Sequence, residues 1–174
     1  MLDNKNSLIM VEGVAGSGKT TLVNFLSREL NFPVYQKISS KNYLDDCFEY
    51  LAISRLYNTN VKLIQDRSFL SFVSYHSDYI PLLYDFASNL SKWKFAKIIF
   101  LYSDYDKILA NIKSRGDIYD LNIETEKDIH VDILGMNKLL NLAVPDKLVL
   151  RYKVDEYTGN WKKEVLDKII LELE

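Results

Sequence analysis

Residues 13–21 read Gly-Val-Ala-Gly-Ser-Gly-Lys-Thr-Thr, and the apolar run Leu8-Ile9-Met10-Val11 leads straight into them. Gly13, Gly18, Lys19 and Thr20 stand at the spacing G-x-x-x-x-G-K-[ST], the pattern of a phosphate-binding loop. The residue types follow from the chemistry. Glycines let the backbone turn tightly, so that the N–H groups of the segment through Gly16, Ser17 and Gly18 point at phosphate oxygens. Lys19 supplies a mobile cation, the Thr20 hydroxyl is placed to hold Mg²⁺, and Thr21 follows in the first turn of the next helix. That helix, expected at 20–29, adds its positive dipole end beneath the anion. A strand, this loop and a helix in succession commit the chain to an α/β sheet with an anion site at the strand's carboxyl end. The expected ligand is a nucleoside triphosphate.

The length of 174 residues suits a single domain, 1–174, with a core on both faces of a sheet. A net charge of −2 argues against a broad nucleic-acid-binding surface. The single cysteine, Cys47, excludes an internal disulfide and reads as a small core residue on a helix. His76 and His130 lack the partners of a zinc site. No apolar stretch approaches the roughly 20 residues of a membrane span, so no membrane partner and a cytoplasmic location are expected. Of 22 lysines and arginines only Arg28, Arg55, Arg67, Arg115 and Arg151 are arginines. Such sparing use makes them candidates for a planar, bidentate grip on phosphate.

Short apolar strands alternate with longer helical patterns, which predicts a parallel sheet flanked by helices. Strands are expected at 8–12, 34–38, 62–66, 97–102 and 147–154. Helices are expected at 20–29, 43–57, 68–76, 82–90, 105–114, 124–142 and 160–174. The polar segment from Arg115 to Asp128 reads either as a mobile lid or as a plain surface excursion.

Ligands of open α/β sheets sit at the carboxyl ends of strands. Glu12 closes the first strand, and Asp66-Arg67 closes the third. Asp66 can hold Mg²⁺ through water or cap the helix that follows. Arg67, Ser71 and Ser74, at i, i+4 and i+7, form a polar stripe expected to face the transferred phosphate. Leu44, Phe48, Leu51 and Arg55, at i, i+4, i+7 and i+11, form an apolar stripe ending in an arginine. On a buried face Arg55 must be paired or bound to a ligand; at the helix end it can instead reach solvent. Arg115, followed by Gly116, is either a helix-terminal cation or a lid residue that swings over the triphosphate.

Together these residues resemble the thymidylate kinase and deoxynucleoside kinase superfamily of P-loop kinases. Glu12 to Thr21 is similar to the opening of both branches. Asp66-Arg67-Ser68-x-x-Ser71 resembles the Asp/Glu-Arg-Ser motif of deoxynucleoside kinases. Its continuation to Ser74-Tyr75-His76 keeps the spacing of the thymidylate kinase Asp-Arg-Tyr-x-x-Ser-x-x-Ala-Tyr-Gln. Leu51 to Arg55 is similar to the substrate-side helix of thymidylate kinases, and Arg115 to Asp120 roughly follows their lid. The chain also departs from these patterns. Ala15 stands where thymidylate kinases usually carry Asp, and the stretch from Glu12 to Asp66 is short like that of deoxynucleoside kinases. The usual Glu-Pro after the second strand is replaced by Val34-Tyr35-Gln36-Lys37, and Phe48-Glu49 does not reproduce their Phe-Gln.

The resemblance implies a five-stranded P-loop NTPase-type fold and Mg·ATP-dependent phosphoryl transfer. In that scheme Gly13, Gly16, Ser17, Gly18, Lys19, Thr20 and Thr21 bind ATP, with Thr20 and Asp66 at the metal. Arg67 and Arg115 stabilise charge on the moving group. A nucleoside acceptor would need Glu12 as general base, whereas a monophosphate would need Arg55 as its cation. Phe48, Arg67, Ser71, Phe72 and Tyr75 are the remaining acceptor candidates, and Phe69 is a further stacking candidate. The sequence leans to a thymidylate-like monophosphate. A deoxynucleoside kinase is the alternative, and a regulatory nucleotide-binding ATPase a more distant one. A homodimer remains open.

Overall fold

The computed structural model describes residues 6–36, 42–115, 134–154 and 161–173. Five strands form one parallel sheet: β1 (Ser7–Gly13), β2 (Val34–Gln36), β3 (Lys62–Asp66), β4 (Phe95–Tyr102) and β5 (Val149–Lys153). Their spatial order is β2-β3-β1-β4-β5, which puts the strand feeding the phosphate loop in the centre. The register aligns Val11 with Asp66 and Glu12 with Phe100, so the acidic strand ends fall at one edge of the sheet.

Among the described residues, seven α-helices flank the sheet. Six have both ends described: α1 (Lys19–Leu30), α2 (Tyr43–Ser54), α3 (Phe69–Tyr75), α4 (Leu83–Leu90), α5 (Tyr105–Arg115) and α7 (Lys163–Leu173). Residues 134–143 are helical and belong to α6. Along β1 the side chains alternate between two cores. Leu8 and Met10 pack with α2, α3 and α4, while Ile9 and Val11 pack with α1 and α7. All four are fully buried, and each side chain contributes about 1.5–3 kcal/mol over an exposed one. No described helix is long and apolar enough to cross a membrane.

The observed elements follow the sequence expectation with local corrections. Helix α2 ends at Ser54, and a 3-10 turn at Leu56–Asn58 takes up the rest of the expected 43–57. Asn42 caps its start by accepting the Leu44 N–H at 3.0 Å. Its end is sealed by the Trp93 indole, which donates to the Ser54 carbonyl at 2.9 Å. Strand β5 is shorter than 147–154 because a 3-10 turn occupies Asp146–Leu148. The expected strand residues 37–38, the start of the 124–142 helix and most of the 115–128 segment lie outside the described residues.

Candidate functional site

The central strand delivers the chain into a loop whose backbone only glycine tolerates at two points. Gly13 has φ +144°, and a Cβ there would lie 2.4 Å from the Leu101 carbonyl oxygen. Gly16 has φ +76° and sits against α5, where a Cβ would approach Ile112 at 3.1 Å. Inside the loop the Lys19 ammonium donates to the Val14 carbonyl at 2.6 Å, and the Ser17 hydroxyl donates to the same oxygen at 2.8 Å. Lys19 is thus folded onto the loop that would hold its phosphate. A cleft of about 340 Å³ opens over Gly16, Gly18, Lys19 and Thr20. Thr21 follows, half-buried, on α1.

A second cleft, of about 390 Å³, lies between α2 and α3. Tyr43, Asp46, Tyr50, Ser71, Phe72, Tyr75 and His76 line it. Gln36, Asp66 and Arg67 line both clefts. The two spaces meet at the carboxyl ends of β2 and β3. Arg67 sits at this junction with φ +67°, an unusual value for a residue with a side chain. Its N–H donates to the Val11 carbonyl at 3.1 Å, tying the end of β3 to β1. Burial opposes the Arg67 charge, yet the neighbouring Tyr75, Glu12 and Asp66 outweigh it and hold the guanidinium above its ordinary range. Burial, reinforced by the nearby Glu12 charge, pushes the Tyr50 hydroxyl up to about 12, so it stays a neutral donor.

Glu12 has no exposed surface. One carboxylate oxygen accepts the Ser68 N–H at 2.6 Å and the Ser68 hydroxyl at 2.5 Å. The other accepts the Ser71 hydroxyl at 2.5 Å. Burial raises its pKa, against the lowering pull of these hydrogen bonds and of Arg67. This geometry suits a clamp between β1 and the start of α3. Glu12, the general base expected from the sequence for a nucleoside acceptor, lines neither cleft in this arrangement.

Other expected site residues are placed differently from one another. Ser71, Phe72 and Tyr75 reach the second cleft, while Phe69 is a fully buried core side chain. Ser74 donates to the Ser71 carbonyl and lines a separate groove with Ser77 and Ile80, so the expected polar stripe is split. Phe48 is 63% exposed and lies outside both clefts. Arg55 pairs with Asp85 at 2.7 Å on the exposed surface, also outside them. The buried stripe of α2 lies one residue away from the expected Leu44, Phe48, Leu51 and Arg55. The helix buries Asp46, Cys47, Tyr50, Leu51 and Ser54, so Tyr43, Asp46 and Tyr50, at i, i+3 and i+7, reach the cleft. That same spacing was the available signal for Asp46 and Tyr50. Nothing local marked Gln36 or His76. The Arg115 side chain and the lid segment 116–128 lie outside the described residues.

The fold of this chain also recurs in solved structures. YorR from Bacillus subtilis, solved with phosphorylated GDP, matches with a TM-score of 0.69 and 24% identity over 95% of this chain and 94% of its own. The likeness shows the fold: a parallel α/β sheet around a phosphate-binding loop. Deoxyadenosine kinase from M. mycoides, with dCMP and dCDP bound, superposes with a TM-score of 0.61 and 18% identity, covering 94% of this chain and 96% of its own. Thymidylate kinase from Candida albicans gives 0.62 and 17%, covering 96% and 90%. The deoxynucleoside kinase family model matches residues 9–80, the part that builds β1, the loop, α2, β3 and α3. Comparison with curated protein sequences finds no match. Both branches expected from the sequence therefore occur among the solved structures that share this fold.

Proposed function

We propose that the protein is a deoxynucleoside kinase, which transfers the γ-phosphoryl group of ATP to the 5′-hydroxyl of a nucleoside. One observation carries this reading: the phosphate-loop cleft and the aromatic cleft share Gln36, Asp66 and Arg67 as a common wall. A triphosphate over the loop and an acceptor between α2 and α3 would meet at that wall. The choice of a neutral acceptor rests on charge. Among the described residues lining the second cleft, Arg67 alone carries a permanent positive charge, beside the carboxylates Asp46 and Asp66. A monophosphate would bring a dianion into this setting, and Arg55, the cation expected to receive it, faces away. The match of residues 9–80 to the deoxynucleoside kinase model supports the same choice.

In the proposed reaction the bond from the acceptor oxygen to phosphorus forms as the bond to the ADP oxygen breaks. Loop amides and Lys19 hold the non-bridging oxygens, and Arg67 neutralises charge that grows on the moving group. Thr20 and Asp66 line one cleft and offer the hard oxygen donors that Mg²⁺ prefers, so they would hold it there. The metal's chemistry would be charge neutralisation on the triphosphate. The hydroxyl proton passes to Asp46, the other carboxylate that lines the acceptor cleft. Little basicity is required, because the transition state is loose and the proton leaves late. Tyr43, Phe72 and His76, whose rings touch with centroids 4.5 and 4.7 Å apart, offer a face for the base.

The test is direct. Purified protein is incubated with Mg·ATP and each deoxynucleoside or deoxynucleoside monophosphate in turn, and both nucleotide products are quantified. Consumption of nucleosides is expected, and consumption of monophosphates alone would overturn the proposal.

A further inference from the structure

The phosphate loop is held from outside by two side chains that no motif contains. The Asn111 amide, on α5, donates to the Gly16 carbonyl at 3.2 Å. The Trp161 indole N–H, two residues before α7, donates to the Gly18 carbonyl at 3.2 Å. Within the loop, Lys19 and Ser17 both donate to the Val14 carbonyl. Three loop carbonyls, of Val14, Gly16 and Gly18, thus each receive a side-chain donor.

This pattern has a consequence through peptide geometry. A peptide unit is planar and trans, so its N–H points opposite to its C=O. Fixing the Gly16 carbonyl against α5 fixes the direction of the Ser17 N–H, which turns back onto the Val14 carbonyl at 3.3 Å and closes the loop's inner turn. Fixing the Gly18 carbonyl beneath Trp161 sets the direction of the Lys19 N–H. The first of these contacts holds the turn of the loop, and the second aims the Lys19 amide in the segment expected to cradle phosphate. Neither glycine resists rotation by itself, since both lie at positive φ, 76° and 81°, where glycine is free to leave. The Gly18 carbonyl also accepts the Leu22 N–H at 3.1 Å, so the indole acts on the peptide that starts α1. Each donor is anchored. Trp161 is packed against the core shared by α1 and α7, and Asn111 lies beside Ile112, which touches Gly16 and Val14.

We propose that Asn111 and Trp161 are positioning residues that preset the shape of the phosphate loop for the donor triphosphate. The inference rests on the reading of that loop as the ATP site. It adds that affinity for the donor depends on α5 and on the segment entering α7, and that both report its occupancy.

The experiment separates this inference from the reading beneath it. Mg·ATP binding is measured by calorimetry for the wild type, Trp161→Phe and Asn111→Ala. The protein is also labelled with 5-fluorotryptophan, which gives one ¹⁹F resonance for Trp161 and one for the buried Trp93. Trp93 donates to Ser54, away from the loop, and serves as the internal control. Each variant removes one neutral hydrogen bond, so ATP binding should weaken about three- to tenfold. The KM for the nucleoside should be unchanged. On adding Mg·ATP to the wild type, the Trp161 resonance should move while that of Trp93 stays. Wild-type protein that binds no Mg·ATP would overturn both the site and the inference. Wild-type binding with a stationary Trp161 resonance, or with variants within twofold of wild type, would overturn the inference alone. The wild-type spectrum decides the indole's part even if a variant folds poorly.

Discussion

The Ser71 hydroxyl donates to the Glu12 carboxylate at 2.5 Å, across 59 residues of sequence. The bond joins the end of the central strand to the first turn of α3. Ser68 is bound by the same carboxylate, so Arg67, one residue earlier, is held where the two clefts meet. Removal of the Glu12 charge therefore tests position rather than proton transfer. Glu12→Gln should lower turnover but keep the shape of the pH–rate profile, because the profile's acid is elsewhere. Loss of its acidic limb in the variant would return Glu12 to the role of base.

The same residue makes a stability prediction. Burial raises the Glu12 pKa above its ordinary 4.5 in the folded protein. From about that pH upward, the unfolded chain gives up this proton while the folded chain retains it. Over that window the folded state binds more protons, so stability falls as pH rises. Glu12→Gln has no such proton to lose. Urea midpoints measured from pH 4 to pH 8 should therefore fall less steeply for the variant than for the wild type. Parallel curves would mean that the carboxyl titrates alike in both states.

Lys19→Ala should leave the fold intact and nearly abolish phosphoryl transfer. The ammonium now rests on the Val14 carbonyl, and its loss removes a cation from developing phosphate charge. That should cost on the order of 3–4 kcal/mol of transition-state stabilisation. Steady-state rates check it, and a variant within a factor of ten of wild type would place the chemistry elsewhere.

Arg67 combines a strained backbone with a functional side chain, and two substitutions separate them. Arg67→Ala and Arg67→Gly both remove the guanidinium, so both should lose turnover. Only glycine relaxes φ +67°. The glycine variant should be more stable than the alanine variant by about 1 kcal/mol. Equal unfolding midpoints would show that the left-handed geometry carries no strain.

Arg55→Ala should leave acceptor KM within about twofold, since the pair with Asp85 is exposed and such pairs contribute only about 0.2–1 kcal/mol. A large rise in KM for a deoxynucleoside monophosphate would reinstate the acceptor expected from the sequence.

The sequence by itself determined the parts whose physics is local. The phosphate loop is written in consecutive residues, because its turn needs glycine at set positions and its charge needs Lys19 beside them. The parallel α/β sheet is written in the change of apolar period between strands and helices. The boundaries of β3, with Asp66 and Arg67 at its end, were legible for the same reason. Tertiary structure decided which side of α2 and α3 faces the clefts. Residue-to-residue rotation in an α-helix is about 100°, so a stripe shifted by one residue turns Phe48 and Arg55 outward and Asp46 and Tyr50 inward. Hydropathy did not distinguish these faces, since tyrosine, aspartate and serine occupy the buried one. The role of Glu12 was equally hidden. Its partners stand 56 and 59 residues away, and only the parallel pairing of β1 with β3 brings them within hydrogen-bonding distance.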